Sequence, residues 1–150
     1  MAFLHAQPTD QLQAHRPSTL RIPIRICVRE SRAVAYEALV HASGFRSLAE
    51  LCQAAVLHFI DQSAAVRAEW LARTRLVPAR ERTDHVLSFL IWPDEARALD
   101  AAGSPRLTRS GWIRAALELF ASQAAPVHHD YIVRLLSSGS GFGRPEGGRA

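Results

Sequence analysis

The chain has 150 residues, 48% hydrophobic and 21% charged, proportions of a globular protein with one core rather than a disordered or collagen-like one. Its apolar runs fall short of the roughly 20 residues that a membrane-spanning helix needs, and Cys27 and Cys52 have the spacing of neither a disulfide framework nor a zinc site. The formal net charge is +4 and all 18 basic residues are arginine. This modest basic balance points toward acidic partners, because guanidinium groups grip phosphates and guanine edges through two parallel hydrogen bonds.

Residues 1–20 carry Pro8, Pro17 and little periodicity, and read as a flexible arm. The opening MAFLHAQPTDQLQ has neither the basic nor the extended apolar stretch of a secretory signal, so a reducing, cytoplasmic location is expected. RIPIRICV, residues 21–28, then alternates apolar Ile22, Ile24, Ile26 and Val28 with Arg21, Pro23, Arg25 and Cys27. Such alternation predicts a strand with one apolar and one basic, polar face.

SRAVAYEALVHASG follows, with Ser31 as a cap, Val34, Ala38 and Leu39 at helical spacing and Gly44 as a stop. In SLAELCQAAVLHFI, Ser47 and Glu50 form a capping box, and Leu51, Cys52, Ala55, Val56 and Phe59 share one face. Residues 62–84 read as a linker, partly helical, in which AAVRAEWLAR prolongs the preceding helix and packs Trp70 and Leu71 on the bundle, and the basic ARER is either a solvated turn or a segment close to an acidic partner.

HVLSFLIW, residues 85–92, is a second strand-like run. One register turns Leu87, Phe89 and Ile91 inward, leaving Val86, Ser88, Leu90 and Trp92 outward; the other exposes His85, Leu87, Phe89 and Ile91. The first makes the better core. PDEARALDAAG carries Pro93 and two carboxylates at a helix start and Gly103 at its end, and TRSGWIRAALELFA is a helix capped by Thr108. Residues 124–150, ending in SSGSGFGRPEGGRA, read as a flexible tail. The cluster His128–His129–Asp130 sits at its edge, and the chain has no HExxH, P-loop or G-x-S-x-G. No catalysis, metal or cofactor is expected.

A shift of 61 positions lays Leu51 on Trp112, Cys52 on Ile113, Ala55 on Ala116, Val56 on Leu117, Phe59 on Phe120 and Ser47 on Thr108. Two strand–helix–helix copies, each too short to bury a core easily alone, are expected to fold on each other with their strands paired.

This order, with WPDEARALD followed by TRSGWIRAALELF, resembles the ribbon-helix-helix DNA-binding superfamily of Arc, MetJ and CopG type, and in tandem form the accessory proteins of conjugation and T-DNA transfer. The resemblance implies a mostly α, α+β fold: repeats at 21–61 and 85–123 forming an intramolecular pseudo-dimer, one two-stranded antiparallel ribbon over four helices. It implies sequence-specific binding of double-stranded DNA through a ribbon in the major groove. Base contacts would come from Arg21, Pro23, Arg25 and Cys27 on the first strand and Val86, Ser88 and Leu90 on the second. Phosphates would be held at the helix starts by Arg46, Ser47, Leu48, Arg106, Thr108 and Arg109. The implied role is a relaxosome or transfer-origin accessory factor of a plasmid or other mobile element, or a transcriptional repressor. A relaxase or further copies of the chain would be neighbours on DNA, and no membrane is involved. The alternative is a protein-interaction module of antitoxin or scaffold type, favoured by the apolar second strand.

Overall fold

The computed structural model describes residues 20–74, 85–102 and 108–137. Arg106, the ARER turn and the glycine-rich end fall outside the described residues. β1 (Ile22–Val28) pairs antiparallel with β2 (His85–Ile91). Alternation buries Ile24, Ile26 and Val28 from one strand and Leu87, Phe89 and Ile91 from the other, because successive side chains of a strand point to opposite faces. Trp92, expected outward, is buried instead. Pro93 opens the next helix directly after it, and the strand's alternation ends there.

The ladder runs from Ile22–Ile91 through Arg25–Ser88 to Val28–His85. β2 starts 63 positions after β1 (22 to 85). Under that shift Arg25 maps onto Ser88, its own partner, and the pair Pro23–Leu90 maps onto Val86–Cys27. The ribbon is thus centred on Arg25–Ser88, with like positions at equal distances on either side.

The helices are α1 (Glu30–Ser43), α2 (Leu48–Asp61), α3 (Ala64–Thr74), α4 (Pro93–Ala102), α5 (Arg109–Ala121) and α6 (Ala125–Ser137). The expected fold of two ribbon-helix-helix repeats over four helices is therefore corrected. The described residues hold one two-stranded ribbon and six helices. The segment expected to be a tail from residue 124 contains α6, which buries Leu135 and His128 to 2% and 5% exposure.

The two further helices match each other in sequence. The shift of 61 continues past α2 and α5, laying Ala64 on Ala125, Val66 on Val127, Trp70 on Tyr131, Leu71 on Ile132 and Arg73 on Arg134. Even the joints match: Gln62 Nε2 donates to His58 O at 3.0 Å, and Gln123 Nε2 to Leu119 O at 3.1 Å. Each half is a strand followed by three helices.

The caps explain where the helices begin. Ser47 Oγ accepts from the Glu50 N–H at 3.1 Å, and Thr108 Oγ1 from the Gly111 N–H at 3.1 Å, each satisfying one of the unpaired amides of a first turn. α1 starts at Glu30 with Arg29 as N-cap and no side-chain cap, two residues before the start that a Ser31 cap implies. It buries Ala33, Tyr36 and Val40, so Val34, expected on the packed face, is 61% exposed. Gly44 closes α1 at φ 95°, a left-handed conformation that glycine adopts without a Cβ penalty.

Packing crosses between the halves. α2 and α5 lie against each other, α2 also under β2 and α5 under β1, while α3 packs on α5 and α6 on α1 and α2. Ala54, Ala55 and Ala116 are fully buried and put little bulk between helices. The buried residues form a single cluster, and each fully buried Phe or Leu in it contributes about 1.5–3 kcal/mol. Neither half has a core of its own.

Candidate nucleic-acid interface

The outward face of the ribbon consists of three cross-strand pairs, Pro23–Leu90, Arg25–Ser88 and Cys27–Val86, all six residues exposed. No carboxylate stands among them. Val86 and Leu90 are 47% and 42% exposed, so four of the six positions are apolar or nearly so. Arg25 has no hydrogen-bonding or acidic partner among the described residues.

Two helix side chains fix the ribbon to the bundle. Arg114 Nη1 donates to Cys27 O at 3.1 Å, and Gln53 Nε2 to Leu90 O at 3.0 Å. Gln53 and Arg114 match under the shift of 61, as Cys27 and Leu90 do under 63. These carbonyls turn away from the partner strand, which marks positions 23, 25 and 27 as members of the non-hydrogen-bonded pairs of the ladder. Pro23 therefore withholds no ladder hydrogen bond, the circumstance in which a strand tolerates proline. Sequence reasoning missed both anchors; their recurrence at one spacing was the available signal.

Three other arginines expected at the interface, Arg21, Arg46 and Arg109, are engaged. Arg21, expected on the outward row, lies at the ribbon's end with its guanidinium 4.8 Å from the Trp92 ring centroid, a cation–π distance. At the start of α2, Arg46 bonds Glu50 through Nη2 at 2.6 Å and Nε at 2.9 Å, and its backbone N–H donates to Glu50 Oε1 at 2.9 Å. That helix start is thus closed by its own carboxylate. Ser47 is the cap there, and Leu48 is half-buried against the core. At the start of α5, Thr108 caps, and Arg109 bonds Asp100 through Nη2 at 2.5 Å and Nε at 3.0 Å. The hydrogen bond from Arg109 holds the Asp100 carboxyl below its ordinary pKa. Gly111 occupies the place corresponding to Glu50, so α5 has no carboxylate in its own first turn.

Cys27 is an exposed thiol, while burial pushes the Cys52 thiol up to about 12. Among the described residues no group of three or more His, Cys, Asp or Glu is placed to hold a metal ion, and no helix is long and apolar enough to cross a membrane.

No protein-family model, curated protein or solved structure matches this chain.

Proposed function

We propose that the outward ribbon face binds double-stranded DNA in the major groove and reads its sequence, a use of a paired strand that resembles that of the ribbon-helix-helix proteins. The observation that carries this reading is Arg25, an exposed guanidinium with no partner among the described residues, at the centre of a face without carboxylates. Two strands about 4.8 Å apart fit a groove about 12 Å wide. Arg25 presents both donors to O6 and N7 of a guanine, with Ser88 beside it as a donor or acceptor to either neighbour. Phosphate anchoring falls chiefly to the start of α5, where amides face a helix end without its own carboxylate and Arg109 lies beside them. A relaxosome factor and a repressor would both depend on this contact.

The test is enrichment of a duplex from a random pool, followed by gel shift. Arg25→Ala should weaken binding to the enriched duplex about 5- to 150-fold, the equivalent of roughly 1–3 kcal/mol, with an unchanged circular dichroism spectrum. Equal affinity of the variant would remove Arg25 from the reading. The exposed Val86 and Leu90 favour a second reading, a protein partner on the same face; failure to enrich any duplex at low salt would select it.

A further inference from the structure

Granting the DNA reading, we infer that the apolar positions flanking Arg25 recognise C5-methyl groups of pyrimidines, so that the ribbon selects one guanine with methyl-bearing pyrimidines on both sides. Pro23 and Leu90 stand on one side of the Arg25–Ser88 pair, and Cys27 and Val86 on the other. Leu90 and Val86 have no hydrogen-bonding side-chain atoms, Pro23 has none either, and a thiol is only a weak donor.

The major groove offers one apolar group to such side chains, the methyl at C5 of thymine. An adenine or cytosine amino group pressed against them would lose water and gain no partner, which acts as discrimination against those bases. Outward residues on one strand repeat every two positions, about 6.7 Å, close to two steps of the roughly 3.4 Å rise per base. The methyls therefore belong within two base pairs of the guanine, two being the limit for a ribbon lying along the helix axis.

The arrangement is even in shape and uneven in charge. The same kind of side chain recurs on both sides of the centre, but only one strand carries an arginine there. A single guanidinium at the centre reads one strand's guanine, so the preferred site has a direction. A homodimer, by contrast, repeats every contact about its two-fold axis and prefers a palindrome.

The test uses full-length protein and the duplex enriched above. Replacing the flanking thymidines by deoxyuridine removes the methyls alone, and should weaken binding about fourfold per methyl. The loss should disappear in Val86→Ser for one flank and in Leu90→Ser for the other, with melting curves confirming that both variants fold. Duplexes with cytosine or 5-methylcytosine at the same positions separate the two sources of the methyl, and tighter binding to the methylated one supports the inference. Equal binding of thymidine and deoxyuridine duplexes overturns it while leaving the DNA reading intact. Failure to enrich any duplex overturns both together. Self-association of the free protein that Val86→Ser abolishes would assign the face to a second copy and likewise overturn the inference.

Discussion

The first half of the chain and the second carry the same elements in the same order, yet they differ at the exposed positions of the ribbon and the helix starts. Phe59 and Phe120 match at the centre and both are fully buried. On the ribbon, Arg25 faces Ser88. At the start of the second helix, Glu50 stands where the other half has Gly111. The third helices reach across by different chemistry: Trp70 donates its indole N–H to Ala115 O at 2.9 Å, and Tyr131 its hydroxyl to Asp61 at 2.6 Å. Positions that share the single core are held alike by packing, since a well-filled interior tolerates few changes of volume. Surface positions escape that constraint, and the two halves have acquired different charges there.

Separating the halves is the harshest test of the shared core. Residues 20–74 or 85–137 alone should show no cooperative melting by circular dichroism, because β1 pairs with β2 of the other half and each second helix supports the other half's strand. A cooperative transition in either fragment would break the claim that neither half has its own core. Next in size, Phe59→Ala and Phe120→Ala should each lower stability in urea by about 3–5 kcal/mol. A pronounced difference between the two would show that the matching positions are not energetically equivalent.

Acid should separate the halves. His58 is buried at the contact with α6, its ring 5.4 Å from Tyr131 and 5.3 Å from Phe120, with Nδ1 lacking a partner among the described residues. Burial lowers its pKa, and nearby His128 lowers it further against the attraction of Asp61. The folded state then binds fewer protons than the unfolded one, so stability is full above the ordinary pKa of 6.5 and declines as pH falls below it. The matching residue is Leu119, which does not titrate. Urea midpoints should drop between pH 7.5 and pH 5.5, and His58→Leu should flatten that drop. An equal drop in the variant would place the acid sensitivity elsewhere. Asp61, which burial raises but hydrogen bonds from Arg134 and Tyr131 lower more, keeps its contribution above the ordinary carboxylate pKa and loses it as pH falls from there toward its lowered value.

The smallest effect concerns the helix starts. Asp100→Asn should leave stability nearly unchanged, exposed ion pairs being worth about 0–1 kcal/mol. It should raise DNA affinity a few-fold by releasing Arg109 and removing a negative charge near the start of α5. Unchanged affinity would take that helix start out of the interface.

The ribbon was legible because alternation over seven residues leaves only two faces to choose between, and one choice buries Leu87, Phe89 and Ile91. The caps Ser47 and Thr108 were legible because capping is local chemistry. α3 and α6 were harder to read. AAVRAEWLAR and PVHHDYIVR are short, charged and weakly apolar, and only their register with one another, 61 positions apart, marks them as a repeated element. At the candidate site, exposure of Arg25 followed from alternation. The engagement of Arg32 did not, since the acid that holds it is Glu118, 86 positions away. Contacts of that kind exist only after the halves have crossed.

Cys27 gives the most direct measurement of whether the outward ribbon face meets DNA. It sits one pair from Arg25 on that face, and the chain's other cysteine, Cys52, is buried. The rate of Cys27 alkylation should fall at least tenfold when an enriched duplex is bound and recover when high salt releases it. Alkylation at an unchanged rate on protein that is fully DNA-bound would place the nucleic acid elsewhere and contradict the proposed interface.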